Sequence, residues 1–197
     1  MLGRVLRSNT TTFTFGRTAR AVDMPAFGHL VKAERGRLTL YGLIYEIAIA
    51  DDPFVRQIVA ASDAMSAEKV EDMRQRRQAP VEITALTIAY RQADLLIHGI
   101  PPQPPAALQP ILPCNCEEIR EVLADFACFR LILTCGDCPS DELLVASLLH
   151  AAGCQLPGRA RDYLTRAGRE LVRLLSNDPS RLDAILRRLA AAVEVTP

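Results

Sequence analysis

The sequence predicts an α+β fold in which a small N-terminal antiparallel β-barrel is followed by a C-terminal helical domain. The first hundred residues contain short runs of β-branched and aromatic residues, separated by Gly, Pro, Asn or Asp. A proline-rich segment follows, and beyond it apolar residues recur at helical spacing. Hydrophobic residues make up 49% of the 197 residues, which is enough for a packed core. We therefore expect a barrel over residues 1–100, a strap over 101–113 and a helical domain over 114–197.

Five β-strands are predicted in the barrel. Many short strands joined by turns favour a barrel or a sandwich. Gly42 interrupts the longest run, and the missing side chain would permit the bend or bulge that closing a small barrel requires. The predicted strands cover residues 3–7, 10–15, 28–31, 38–49 and 81–90.

A helical excursion is predicted between the fourth and fifth strands, over residues 52–79. Asp52 followed by Pro53 is typical of an N-cap and the first residue of a helix. A charged stretch begins at Ser66, and the apolar residues near it fall on one side of a helix.

Residues 101–113 contain six of the 13 prolines of the chain. Proline lacks a backbone N–H and has a fixed φ, so such a segment cannot join a sheet interior or a helix. We expect a stiff, extended strap that connects the barrel to the helices.

The C-terminal part is predicted to be helical. Helices are expected over residues 117–127, 140–152 and 159–176, and from residue 179 onward. Their apolar stripes must be buried against each other or against a partner, because an isolated short helix is marginal in water.

The charges balance, with 23 basic and 23 acidic residues. A neutral chain has no general attraction to nucleic acid or to an anionic membrane, so we expect nucleic-acid contact to be indirect or weak. The chain has no signal-peptide pattern and no apolar run near the about 20 residues of a membrane span. A cytoplasmic protein without a membrane partner is expected.

Motifs for common catalytic chemistry are missing from the sequence. There is no P-loop, no Gly-x-Ser-x-Gly elbow and no His-Glu-x-x-His helix. The three histidines, His29, His98 and His150, fall in separate predicted elements. We therefore expect a protein that is not an enzyme, with no catalytic residues and no cofactor-binding residues.

The cysteines are the residues with the most specific chemistry. Cys114 and Cys116 form one pair and Cys135 and Cys138 a second, with 18 residues between the pairs, close to the spacing of four-cysteine zinc sites. A helix followed by an extended return over 129–134 would bring the pairs together, whereas one continuous helix would separate them. Such a zinc would be structural, because four thiolates leave no open coordination position.

Other interpretations of the cysteines stay open. His150 and Cys154 complete a second zinc-like spacing with Cys135 and Cys138, but the intervening helix would carry His150 too far along its axis. The pairs could also be unligated thiols, or Cys135 and Cys138 a redox-labile pair at a helix N-terminus. Cys128 is predicted to be a buried core thiol.

The N-terminal motifs resemble the HAS-barrel, the small barrel shared by HerA-type DNA-translocating ATPases and ATP synthase subunits. The resemblance covers about residues 1–125 and includes the proline-rich exit of the HerA-type barrels. It is carried by Gly3-Arg4-Val5, residues 10–15, Pro25-x-Phe27-Gly28-x-Leu30-Val31, Tyr41-Gly42-Leu43-Ile44, residues 81–90, residues 97–102 and residues 104–113.

The resemblance implies an assembly surface, because the barrels of this family pack side by side on a hexameric motor and can dock accessory proteins. The motor itself is replaced here by a helical tail, so translocation and ATP hydrolysis cannot be carried over. The leading hypothesis is a non-enzymatic adaptor that forms a homo-oligomer, or binds a HerA-like ATPase and its nuclease partner, in DNA translocation or end processing.

Two alternatives compete with the adaptor. A barrel that binds single-stranded nucleic acid could use Phe13, Phe15 or Tyr41 for base stacking, although these rings are expected to fill the barrel. A small metal- or redox-dependent enzyme would depend on the cysteines alone. The basic residues of the nucleic-acid alternative are Arg4, Arg7, Arg17, Arg20, Arg35 and Arg37.

Overall fold

A computed structural model describes residues 1–18, 24–49 and 80–195 of the chain. The predicted excursion over 52–79 and Arg20 lie outside the described residues. The strands are β1 (Gly3–Ser8), β2 (Thr12–Thr18), β3 (Leu30–Arg35), β4 (Leu38–Ile49), β5 (Pro80–Gln92), β6 (Leu95–His98) and β7 (Pro110–Pro113).

The strands form a closed antiparallel barrel. Their order is β2-β1-β7-β3-β4-β5-β6, and an additional pairing of β2 with β5 joins the two sides into a ring of six strands. In that closing pair Phe13 lies opposite Ala85 and Phe15 opposite Ile83. Strand β6 extends the sheet from β5. The predicted α+β class with an antiparallel barrel is confirmed.

The predicted strap contributes a strand to the barrel. Pro110–Pro113 forms β7, which pairs with both β1 and β3, so the expectation that this segment stays out of the sheet is wrong for these four residues. The prolines occupy the two ends of the strand, where a missing N–H costs little. Ile111 between them is buried, and its carbonyl accepts a hydrogen bond from the amide of Leu2 at 2.8 Å.

Apolar side chains fill the interior of the barrel. Phe13 and Phe15 are buried there, as the sequence predicts. Gly42 faces the interior, where a Cβ atom would lie 2.7 Å from the ring of Phe13. The register between β4 and β5 shifts between Tyr41 and Gly42, so the predicted irregularity at Gly42 is confirmed.

Five helices follow the barrel in the described part of the chain. The extended return over 129–134 that the four-cysteine site would require is not present: Phe129–Leu133 is a short helix, and Phe126 before it adopts a left-handed conformation with φ 60°. None of the described helices is both long and apolar enough to cross a bilayer. The helices are α1 (Cys116–Val122), α2 (Phe129–Leu133), α3 (Ser140–Gly153), α4 (Ala160–Leu174) and α5 (Pro179–Val195).

The helices pack on the outer face of the barrel. Tyr41, Leu43 and Ile88 point outward from β4 and β5 and share one hydrophobic core with all five helices. Ion pairs at the edge of this core join Lys32 to Glu118 and Arg91 to Glu121. The stripes of the helices are thus buried by the barrel as well as by each other.

Candidate functional site

A cavity of about 400 Å³ lies where the barrel meets the end of α3, and we call it the junction cavity. Gly28 has φ 82° and lies against α3, so the following residue, His29, reaches the helix beside His150. Cys114 and Arg17 also line the cavity. The rest of its wall is apolar and consists of Met1, Leu2, Met24, Pro25, Leu30, Val31 and Pro113.

The two histidine rings are stacked across the junction. The centroids of His29 and His150 are 3.9 Å apart and the rings are tilted by 9°. Burial lowers the pKa of His29. Burial, and then the charge of His29, lower the pKa of His150 to about 4. Both rings are therefore neutral near pH 7, and protonation would place like charges in contact.

The thiol in the junction cavity is not activated. Burial, together with the nearby carboxylate of Glu118, raises the pKa of Cys114 far above its ordinary value. Thiolate is the nucleophilic form of cysteine, so Cys114 is held in its unreactive state. The arrangement offers two neutral imidazoles and one protonated thiol in the same cavity.

The structure does not bring the four predicted zinc ligands together. Cys116 forms a disulfide with Cys154, with a Cα–Cα distance of 4.9 Å. Cys138 hydrogen-bonds with Cys135 just before α3. Burial and this hydrogen bond raise the pKa of Cys138 to about 12. Cys114 belongs to the junction cavity instead.

The second zinc-like grouping is not assembled either, because His150 stacks on His29 and Cys154 is in the disulfide. Within residues 1–18, 24–49 and 80–195, no group of three or more His, Cys, Asp or Glu side chains is placed to hold a metal ion. Zinc binding stays a prediction from the sequence. The predicted core position of Cys128 is confirmed, and burial raises its pKa to about 12.

The arginines of the nucleic-acid alternative are distributed over several parts of the barrel. Arg4 donates to the carbonyl oxygen of Leu108 at 3.0 Å, and Arg7 pairs with Glu82 at 2.7 Å. Arg35 and Arg37 are exposed at the turn between β3 and β4, and Arg17 lines the junction cavity.

The rings proposed for base stacking are not available on the surface. Phe13 and Phe15 fill the barrel, and Tyr41 lies beneath the helices. The stacking part of the nucleic-acid alternative is therefore wrong for these three residues.

Two exposed leucines, Leu6 and Leu108, lie on adjoining backbone segments, and we call the pair the apolar corner. Leu6 is 50% exposed and is the extra residue of a β-bulge, since Val5 pairs with Phe15 and Arg7 with Thr14. Leu108 is 68% exposed and has φ 63°. Its amide donates to the carbonyl of Val5 at 2.9 Å, which places it beside β1.

A second pocket, of about 380 Å³, lies along the N-terminal half of α4, and we call it the arginine pocket. Three arginines line it, Arg159, Arg166 and Arg169, together with one acidic residue, Asp162. Their spacing of three or four residues along the chain places them on neighbouring helical positions, a pattern that is present in the sequence. Gln155, Tyr163 and Thr165 complete the wall.

Tyr163 is the buried member of the arginine pocket. The residue is 4% exposed, and its hydroxyl has no hydrogen-bond partner among the described residues. Its ring packs on that of Phe126, with centroids 5.3 Å apart. Burial raises the pKa of Tyr163, so the hydroxyl keeps its proton and can donate it.

Comparison with known proteins adds no family assignment. No protein-family model matches the chain, and no curated protein matches it significantly. Function is therefore inferred from the fold and the side chains described above.

Proposed function

We propose that the protein is a non-enzymatic assembly protein whose barrel docks on another protein subunit. The resemblance to the barrels of HerA-type ATPases supports a role in a DNA translocation or end-processing complex. The observation that carries the docking proposal is the apolar corner, where two leucines are held in solvent by the backbone itself.

The backbone at the apolar corner presents the leucines at the cost of local strain. The bulge at Leu6 directs its side chain outward over Gly16, where a Cβ atom would lie 3.0 Å from the leucine. The left-handed conformation of Leu108 costs about 1–2 kcal/mol, because the residue has a Cβ atom. β-Bulges and left-handed non-glycine residues persist where the surrounding structure enforces them, and they concentrate at functional positions.

Hydrogen bonds fix the turn that carries Leu108. The amide of Leu108 donates to the carbonyl of Val5, and the carbonyl of Leu108 accepts from the guanidinium of Arg4. The hydroxyl of Ser8 donates to the carbonyl of Pro105 at 2.7 Å, which ties the start of the turn to β1. A leucine on a rigid turn loses little conformational entropy on binding, which favours a protein contact.

The resemblance offers two occupants for the apolar corner, a second copy of this chain or a HerA-type ATPase with its nuclease. Sedimentation velocity of the protein alone, and mixed with a ring-forming HerA-type ATPase, tests both. We expect a homo-oligomer or co-sedimentation with the ring. A monomer that stays separate from an assembled ring would contradict the proposal.

Paired variants test the part played by the apolar corner. Leu6→Ser combined with Leu108→Ser should weaken the association at least tenfold, because burying one leucine contributes about 1.5–3 kcal/mol. Leu95→Ser is the matched control, since this leucine is 64% exposed on β6. Equal effects of the control and the double variant would place the interface elsewhere.

A further inference from the structure

We propose that the arginine pocket binds the phosphate group of a small phosphorylated molecule. This inference is independent of the docking function, because the residues of the pocket belong to α4 and the segment before it, and those of the apolar corner to β1 and the turn before β7.

Positive charge in the arginine pocket exceeds the negative charge that faces it. Three arginines and one aspartate line the pocket. Arg159 pairs with Asp162 at 3.6 Å, and both side chains are largely exposed, so this pair is weak. Arg169 has no hydrogen bond or ion pair with any residue that the structure describes. The planar guanidinium fork matches the geometry of phosphate oxygens.

Arg166 is held in place before any ligand arrives. One nitrogen of its guanidinium donates to the carbonyl of Ala124 at 2.8 Å, and the group lies 5.4 Å from the centroid of the Phe126 ring. A guanidinium that is already ordered loses less conformational entropy on binding a ligand. Its remaining donors stay available for phosphate oxygens.

The buried hydroxyl of Tyr163 is a second, independent indication of a ligand. A hydroxyl buried without a partner is unfavourable, and such groups are rare in folded proteins. Tyr163 and Arg166 both line the pocket. A phosphate oxygen in the pocket would supply the missing acceptor.

The start of α4 adds to the attraction for an anion. The helix begins at Ala160, and the side chain of its N-cap residue, Arg159, makes no capping hydrogen bond. The first amides of a helix and its dipole favour negative charge at this end. The pocket volume of about 380 Å³ falls in the range typical of small-molecule sites, which favours a small ligand over a nucleic-acid strand.

Isothermal titration calorimetry of the full chain in low-chloride buffer tests the proposal. The probes are inorganic phosphate, a nucleoside monophosphate and a single-stranded oligonucleotide. We expect saturable binding of inorganic phosphate or of the nucleoside monophosphate, which share the phosphate group. Binding of the oligonucleotide alone, or of none of the three, would overturn the proposal.

Two variants separate the pocket from general charge effects. Arg169→Ala should weaken binding about tenfold, since a charge-assisted bidentate contact is lost. Arg187→Ala removes the same charge from α5, where the side chain pairs with Asp183, and should leave binding unchanged. Equal losses in the two variants would overturn the proposal.

Tyr163→Phe distinguishes a ligand-binding hydroxyl from a structural one. Because the hydroxyl has no partner in the described structure, its removal should leave the thermal midpoint unchanged or raise it. Phosphate binding should nevertheless weaken about threefold to tenfold. A variant that binds phosphate as the wild type does would show that the hydroxyl does not face the ligand, and would overturn this assignment.

Discussion

Replacing Gly28 with alanine should separate the barrel from helix α3. Gly28 has φ 82°, and a Cβ atom there would lie 2.5 Å from the Cβ of Ala146 and 2.9 Å from the amide nitrogen of Ser147. The second contact involves helix backbone, which cannot move aside as a flexible side chain can. Either the helix or the loop must shift, and the stack of His29 on His150 depends on both.

The magnitude follows from two terms. The left-handed conformation costs a residue with a Cβ about 1–2 kcal/mol. Overpacking against the helix adds about 1–3 kcal/mol. Gly28→Ala should therefore reduce the free energy of unfolding by about 2–5 kcal/mol.

Gly36→Ala is the matched control for this prediction. Gly36 also has a positive φ, 61°, but a Cβ atom there would meet nothing within 4 Å. Only the conformational cost of about 1–2 kcal/mol applies. Equilibrium unfolding in urea, followed by circular dichroism, gives both free energies. If the two substitutions cost the same, the close approach of Gly28 to α3 does not contribute and the reasoning is refuted.

Two further predictions concern pH and redox state. Because the pKa of His150 is about 4 in the folded chain and about 6.5 when unfolded, its neutral form should stabilise the fold fully above pH 6.5 and lose this contribution as the pH falls to 4. The ring is partly exposed, so the loss should be about 1–2 kcal/mol. In urea titrations, His150→Gln should reduce the dependence of the free energy of unfolding on pH between pH 7 and 4. An unchanged dependence would contradict the lowered pKa of His150. Reduction of the disulfide between Cys116 and Cys154, 38 residues apart, should lower the free energy of unfolding by about 4 kcal/mol in the chain-entropy account. The double variant with serine at both positions should not respond to reductant, and a wild type equally insensitive would show that the bond does not form.

The barrel could be predicted because its strands carry local signals. Strand β4, over Leu38–Ile49, is a long run of apolar and β-branched residues, and alternation places its side chains on two faces. Strand β7 lacked such a signal, since two of its four residues are prolines. Its place between β1 and β3 depends on pairing partners distant in sequence, which composition does not report.

The candidate sites depend on contacts that no local pattern encodes. His29 and His150 are separated by most of the chain, and their stack exists because α3 packs on Gly28. The cysteine spacing indicated one plausible cluster, but the helical conformation of Phe129–Leu133 and the pairing of Cys116 with Cys154 divide it. Spacing restricts which residues can meet, and tertiary packing selects among them.

A count of the charged residues in a segment does not show which of them are paired within the molecule. The N-terminal 50 residues carry seven basic and three acidic side chains, an excess that makes the barrel the first place to look for anion binding. Part of this charge is paired within the described structure: Lys32 pairs with Glu118 and Arg7 with Glu82. Arg169 on α4, by contrast, has no acidic partner in the described part of the chain. We propose anion recognition on α4 and protein contact at the apolar corner of the barrel, so variants of the two surfaces should change the two activities separately.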